Sequence, residues 1–361
     1  MQISSLALAA ARMPANARSN APAAKTVGYA AIGLGNISDV FMKSMEETTN
    51  SRVTALVTGH PIDKGRKYAA MYGIPESSIY TYETFDRIRD NKAVDAVYVG
   101  LPNSMHCDFT VRAAQAGKHV FCEKPMAISS AECRQMIEAC RKADRKLMIG
   151  YRVQQDPTWM KVAEMLQAGR IGRIRSMQGG MYSDMTPNQW RLTRKFAGGG
   201  SLMDIGIYPL NGIRFLAREE PAAFTAQVST IDRSSGRFAE MEESVEWTMK
   251  FPSGLVAACG SSYGSRGPGA LRVLGDKGWL DLNPAFGNGA HVTGQISDAS
   301  GNTSIDIPPA GSKPHFQFPL EASHFSDCIL NDRLPKSPGE EGLSDMIAIE
   351  AIYKAAGTPI A

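Results

Sequence analysis

Val27-Gly28-Tyr29-Ala30-Ala31-Ile32-Gly33-Leu34-Gly35-Asn36-Ile37-Ser38 reads as a short apolar strand running straight into a glycine-punctuated turn. Gly33 permits a tight turn and Gly35 lets a pyrophosphate approach the backbone. The helix expected over 38–48 offers free N–H groups to an anion. The G-x-G-x-x-G pattern is imperfect, because Ser38 stands where a third glycine or alanine is usual. Taken alone, such a turn is equally an ordinary βα connection. Its context decides the reading: a strand precedes it, a helix follows, and a second strand over 52–57 comes next.

From that unit outward the chain alternates strand and helix as far as Gly150, which argues a parallel sheet. Strands are expected at 27–32, 52–57, 94–100, 118–122 and 145–149, and helices at 38–48, 61–72, 105–116 and 130–143. Ser129 or Ser130 caps the last helix, with Glu132 in its first turn. Beyond Gly150 a helix (157–168), a strand (173–182), a polar loop and an apolar helix (202–216) follow. After Pro221 the pattern turns to β. In 243–251, Val245, Trp247, Met249 and Phe251 share one face and Ser244, Glu246, Thr248 and Lys250 the other. Pro252-Ser253-Gly254 turns the chain into a strand at 255–263, with shorter ones near 270–275 and 278–282. The region 287–311 reads as loop and irregular strand, and helices at 318–331 and 340–356 close the chain. The fold class is therefore an α/β Rossmann dinucleotide-binding domain (26–150) plus an α+β domain with an open, mainly antiparallel sheet (151–361).

Composition bounds the function. The chain has 361 residues, 43% hydrophobic and 21% charged, as in a soluble globular protein of about two domains. A net charge of +3 without a long basic run argues against nucleic-acid or membrane binding. The six cysteines show no CxxC and no metal-finger spacing, so no metal is expected. Residues 1–25 hold an apolar patch (3–11) and a proline- and alanine-rich stretch (13–24) without an initial positive charge. They read as a flexible arm, which makes the chain as it stands cytoplasmic, or as the remnant of an export signal, which makes it periplasmic.

The second strand ends Val57-Thr58-Gly59-His60, without the Asp or Glu that usually binds the ribose 2′-hydroxyl of NAD about 20 residues after the glycines. Thr58 offers a hydroxyl, and Lys64 and Arg66 follow in the next helix. A 2′-phosphate suits such a site, and NADP is favoured over NAD. The bland alternative is a solvated basic helix start.

Gly100-Leu101-Pro102-Asn103-Ser104-Met105-His106 forms a strand-to-helix turn at the carboxyl edge of the sheet, where ligands bind in such folds. Asn103 is placed to cap the helix and His106 to face the nicotinamide end, although a single histidine is more often structural. Cys122-Glu123-Lys124-Pro125 sits on the same edge and makes Lys124 a catalytic candidate. In Gly198-Gly199-Gly200-Ser201-Leu202-Met203-Asp204-Ile205-Gly206-Ile207-Tyr208, Asp204 and Tyr208 lie four apart on one helical face. A tyrosine's ordinary pKa of about 10 is too high for an efficient base near neutrality, and a neighbouring ammonium lowers it. Lys124 and Tyr208 thus form a proton-handling pair for alcohol–carbonyl conversion. The alternative is a buried tyrosine satisfied by Asp204.

These motifs resemble the glucose–fructose oxidoreductase/inositol dehydrogenase/MocA family, especially its glucose–fructose oxidoreductase branch. The likeness is carried by Cys-Glu-Lys-Pro (122–125), Leu-Met-Ile-Gly-Tyr-Arg (147–152), Gln-Trp-Arg-Leu (189–192), the glycine-rich run (198–208) and Ser-Pro-Gly-Glu-Glu-Gly (337–342). The resemblance implies catalytic Lys124 and Tyr208 with Asp204 in support. It implies NADP contacts from Gly33, Gly35, Asn36, Ile37, Thr58, Gly59, Lys64, Tyr80, Leu101, Pro102, Asn103, His106, Glu123, Lys124, Arg152, Trp190, Arg191 and Tyr263.

It also implies a tightly held nucleotide, reduced by an aldose that becomes a lactone and reoxidised by a second sugar that becomes an alditol, in a homodimer or homotetramer. A plain dehydrogenase with exchangeable NADP and a non-catalytic sugar-sensing regulator are the rival readings. Ser38 and the stretch His60-Pro61-Ile62-Asp63 depart from the pattern, and residues 184–188 are expected to shape the sugar pocket.

Overall fold

The computed structural model describes residues 25–287, 291–307 and 315–360. The amino-terminal arm, for which two readings were open, lies outside the described residues. Six strands form the first sheet: β1 (Val27–Ile32), β2 (Ser51–Val57), β3 (Ile79–Tyr80), β4 (Ala96–Val99), β5 (His119–Glu123) and β6 (Leu147–Gly150). They lie in the order β3-β2-β1-β4-β5-β6 with every pair parallel. The order reverses beside β1, which puts the ligand-binding crevice at the carboxyl ends of β1 and β4.

Side-chain alternation explains how this sheet is covered on both faces. Tyr29, Ala31, Tyr98 and Phe121 point to one side, while Ala30, Ile32, Val97, Val99, Val120 and Cys122 point to the other. On the first side Phe41 of α1 (Asn36–Ser44) stacks on Tyr98 at 3.7 Å and meets Tyr29 and Phe121 edge-on. α2 (Arg66–Tyr72) leads from β2 towards β3; α3 (His106–Gln115) and α4 (Ser130–Lys142) pack together on the second side. Ser129 caps α4, its hydroxyl accepting from the Glu132 N–H at 3.2 Å.

The remaining elements are α5 (Pro157–Gln167), β7 (Ile174–Tyr182), α6 (Arg194–Ala197), α7 (Ile207–Ala217), β8 (Ala223–Ser229), β9 (Ser244–Lys250), β10 (Val256–Ser262), β11 (Gly267–Gly275), β12 (Trp279–Leu282), β13 (Thr293–Asp298), β14 (Gly301–Asp306), α8 (Gln317–Leu330) and α9 (Gly339–Ala355). Their strands form a sheet in the order β14-β13-β12-β11-β7-β10-β9-β8, antiparallel except for the β7–β10 pair. α7 lies across its inner face. It comes close because Gly179 has no side chain; a Cβ there would sit 3.0 Å from Pro209. Val245, Trp247 and Met249 are buried on this face, as their alternation predicts. α8 packs on the parallel sheet instead, burying Ala322 and Phe325 beside Phe121.

Three local expectations change. β3 went unread because only Ile79 and Tyr80 pair with β2. The helix expected over 61–72 opens with a wide π-turn (Pro61–Gly65), closed by the Gly65 N–H on the His60 carbonyl at 3.0 Å. The polar 287–311 stretch contains the β13–β14 hairpin, whose only fully buried apolar side chains are Ile296 and Ile305, too few to reveal a strand by alternation.

Candidate active site

The turn after β1 is built as an anion would need it. Gly33 has φ +80°, and a Cβ there would lie 2.6 Å from the Gly100 carbonyl. A Cβ on Gly35 would meet nothing within 4 Å, so this backbone faces open space. The Asp39 N–H bonds the Gly35 carbonyl at 3.0 Å. The N–H groups of Asn36, Ile37 and Ser38 precede it in the first turn and have no intrahelical acceptor. Ser38 is buried under Gly100, and its hydroxyl has no partner among the described residues. At the end of β2, Thr58 is buried and accepts from the His60 N–H at 3.1 Å, while Gly59, His60 and Lys64 are exposed. This acid-free strand end next to an exposed lysine, with the open glycine turn, fits a dinucleotide carrying a 2′-phosphate.

Lys124 follows β5, in a cis peptide with Pro125. Its ammonium donates to the Asp204 carbonyl at 2.7 Å and to Asp204 Oδ1 at 3.0 Å. Asp204 lies in a second π-turn (Leu202–Gly206) that leads into α7. Its Oδ2 accepts from Arg191 Nε at 3.0 Å and from the Tyr263 hydroxyl at 2.8 Å. Burial alone would raise the Asp204 pKa, but Lys124, Arg191 and Tyr263 outweigh it and hold the carboxyl well below its ordinary range. Burial likewise works against the Lys124 ammonium, yet Asp204 and Tyr208 hold its pKa above the ordinary lysine value. Tyr263 is pushed well up by burial and by Asp204, so it stays a protonated donor.

Tyr208 stands beside this cluster. Lys124 Nζ stands 4.6 Å from its ring centroid and the Arg152 guanidinium 4.7 Å. Its hydroxyl accepts from Arg152 Nε at 3.4 Å rather than pairing with Asp204. Trp190 stacks beneath Arg191, at 4.5 Å from the guanidinium carbon to the ring centroid.

Several side chains expected at the nucleotide make contacts within the protein. His106 is 1% exposed, with both ring nitrogens 2.9 Å from carbonyl oxygens, those of Leu101 and Pro125. It joins two site loops from behind rather than facing the nicotinamide end. Burial, the largest influence, and Lys124 lower its pKa. The Tyr80 side chain is buried, and its hydroxyl accepts from Asn91 at 3.1 Å. Asn103 does not cap α3; its amide donates to the Ala197 carbonyl at 2.9 Å, tying the two halves of the chain together. Leu101 packs against Gly33, next to Pro102. Glu123 accepts from the Tyr98 hydroxyl at 2.6 Å, and burial raises its pKa. Arg152 is buried, with Nη1 and Nη2 bonded to Gly287, Gln317 and Phe286.

One site residue escaped sequence reading. Glu242 accepts from the Gly200 and Leu202 N–H groups at 3.1 and 3.2 Å and from the Tyr353 hydroxyl at 2.8 Å, so it caps the glycine-rich entry to the π-turn. Nothing in Glu242-Glu243-Ser244 signals this, because the groups it caps lie some forty residues upstream.

Glycine turn, topological switch point and a buried lysine–aspartate pair on the carboxyl edge define an oxidoreductase with a dinucleotide-binding domain. The comparisons agree. Residues 27–151 match the oxidoreductase family model with an NAD-binding Rossmann fold, and residues 159–281 match the Gfo/Idh/MocA C-terminal domain. D-xylose 1-dehydrogenase [NADP(+)] of Haloarcula marismortui is 31% identical over 92% of this chain and 91% of its own. The crystal structure of aldose-aldose oxidoreductase from Caulobacter crescentus superposes with TM-score 0.87 at 44% identity, covering 92% of this chain and 98% of that one. A 1,5-anhydro-D-fructose reductase of Ensifer adhaerens is 27% identical over 91% of this chain and 95% of its own. The chain belongs to the Gfo/Idh/MocA oxidoreductase family.

Asp204→Ala leaves the buried Lys124 ammonium without its carboxylate, and a broken buried pair typically costs about 3–5 kcal/mol. Chemical denaturation is expected to show that loss near neutrality, with Arg191→Ala costing far less because Arg191 is about one-third exposed. A carboxyl with a depressed folded pKa stabilises above its unfolded pKa and stops doing so only as pH falls through the folded one. The gap between wild type and Asp204→Ala is therefore expected to stay level from pH 7 to about 4 and to shrink only in stronger acid. A gap that closes between pH 7 and 5 counts against the pairing.

Proposed function

We propose that this chain is an NADP-dependent sugar oxidoreductase that oxidises an aldose at C1 to the lactone and reduces a second sugar to an alditol without releasing its nucleotide. The observation that carries the reading is a phenol, Tyr208, beside an ammonium, Lys124, that Asp204 holds permanently charged. The acid-free end of β2 and the open turn at Gly35 support NADP as the nucleotide. The likeness to an aldose-aldose oxidoreductase and to a D-xylose 1-dehydrogenase [NADP(+)] supports sugars as the substrates.

The residues divide the work. Bound NADP supplies the hydride acceptor for one sugar and the donor for the next. Lys124, held protonated, is not the proton acceptor; its charge favours the phenolate of Tyr208. Tyr208 takes the proton of the C1 hydroxyl as the lactone forms and returns it to the second sugar's carbonyl oxygen. Tyr208 begins as the phenolate, becomes the phenol in the first half-reaction and is the phenolate again after the second, so no proton need leave the site.

A second copy of the chain fits the uncovered face of the eight-stranded sheet. That face presents Gln178, Gly180, Glu246, Gly260 and Arg272 around a trough of about 420 Å³. A broad sheet face of this kind suits burial against another copy. Light scattering at micromolar concentration is expected to give a dimer or tetramer, and a monomer would rule this out.

The purified protein is expected to carry NADP(H), identified after denaturing release. Nucleotide-free protein, or a preference for NAD, would sink the cofactor reading; NADP that exchanges freely would favour a plain dehydrogenase. Mixing with a panel of aldoses is expected to reduce the bound nucleotide in a single turnover. Tyr208→Phe keeps the ring and loses the proton acceptor, so the rate is expected to fall about 10²–10⁴-fold with little change in sugar affinity. Reduction at the wild-type rate would place the acceptor elsewhere.

A further inference from the structure

Tyr208 sits between two cations, and only one of them belongs to the Lys124–Asp204 cluster. The other, Arg152, comes from the turn after β6. Its guanidinium carbon lies 4.7 Å from the Tyr208 ring centroid, and its Nε donates to the phenol oxygen at 3.4 Å. Its remaining contacts fix it from the far side. Nη1 donates to the Gly287 carbonyl at 2.8 Å and to Gln317 Oε1 at 2.6 Å, and Nη2 donates to the Phe286 carbonyl at 2.8 Å. Gln317 is held in turn by Asp156 at 2.5 Å. At 3% exposure, a guanidinium anchored at three points has its Nε edge left for one neighbour, the phenol.

The charges around that phenol are unequal. Lys124 and Arg152 face it directly. Asp204, on its own helix, is neutralised by Lys124 and Arg191. Glu123 lies behind Lys124, and Glu321 of α8 lies near Glu123 and Arg152; burial raises the pKa of both carboxyls. The field at the phenol oxygen is therefore positive from two directions.

We propose that Arg152 is a positioning residue for Tyr208, a second fixed cation that orients the phenol and favours its deprotonated form when the C1-hydroxyl proton is transferred. This rests on Tyr208 being the proton acceptor. It gives Arg152 a part separate from nucleotide contact.

Two readouts test it in the full-length protein: the pH profile of single-turnover reduction of the bound nucleotide by excess aldose, and the ultraviolet tyrosinate difference titration of each form against its Tyr208→Phe counterpart, with no sugar present. Removing a cation at this distance is expected to move the rising limb of R152Q upward by about one to two pH units. Its rate is then about 10–100-fold low on the limb and recovers towards wild type at alkaline pH. The Tyr208 tyrosinate signal is expected to move by the same amount.

R152K keeps the charge but cannot span the three anchors and the phenol together, so a smaller shift in the same direction is expected; if R152Q does not fold, R152K decides. An unmoved limb and an unmoved tyrosinate titration in either folded variant overturn the proposal, and loss of nucleotide with both unmoved assigns Arg152 to cofactor contact alone. If no aldose reduces the wild-type protein, the sugar reading fails, and the tyrosinate titration still decides the role of Arg152.

Discussion

One buried carboxylate, that of Asp204, sets the geometry of the whole site. It accepts from Lys124 of the parallel sheet's edge, Arg191 of the loop after β7, and Tyr263 at the end of β10. A buried charge persists only where partners satisfy it. Three separate chain segments are therefore drawn to one point, and none can withdraw without leaving a charge unpaired. The same contact that positions the Lys124 ammonium, 4.6 Å from the Tyr208 ring centroid, also favours its charged form. Burial and Asp204 likewise favour the protonated form of Tyr263.

The π-turn over Leu202–Gly206 separates two side chains that a regular helix would bring together. Asp204 and Tyr208, four apart, would share a face of an α-helix and meet. The wide turn rotates Asp204 towards Lys124 and Arg191, while Tyr208 leans on Arg152 and Phe286. Such turns cost regular hydrogen bonding and recur at functional sites. Here local packing sustains it. Glu242 caps the entry, and Gly206 lets the turn press on Ser261, where a Cβ would lie only 2.9 Å from Ser261 Oγ.

What could be read from the sequence was whatever is written in short-range pattern. The alternation in β1 and β9, the Ser129 cap and the Gly33/Gly35 turn all depend on neighbours within a few residues. Lys124, Asp204 and Tyr208, singled out from motifs with a recognisable context, do lie together in the fold. Partnerships made across the fold were not. The carbonyls that hold Arg152 lie some 134 residues away, and the N–H groups that Glu242 caps lie some forty away. The fates of His106, Asn103 and Tyr80 were hidden too, although the partners of His106 and Tyr80 lie within 19 residues of them and only that of Asn103 lies 94 away. Each is a polar residue near the crevice, and only the folded backbone shows that a carbonyl or an amide has already claimed it. The β13–β14 hairpin failed for the opposite reason, since an edge hairpin with two buried apolar side chains carries almost no periodic signal.

The Ser-Pro-Gly-Glu-Glu-Gly motif finds its physical reason in the distance between Lys124 and Tyr208. These residues come from different halves of the chain, so their separation depends on how the halves are joined. Glu341 accepts from Gln154 at 3.0 Å and from Asn211 of α7 at 2.8 Å, while Arg214 of the same helix pairs with Asp345. Gly342 lets α9 touch the lysine loop; a Cβ there would lie 2.8 Å from Met126. α9 thus clamps the loop bearing Lys124 and the helix bearing Tyr208 from behind, while Asp204 and the Asn103–Ala197 bond tie them in front. A proton acceptor whose reactivity comes from neighbouring charges needs those charges fixed before the substrate arrives. Ties on both sides of the site supply that rigidity, and they place the cost of assembling the charges in folding rather than in catalysis.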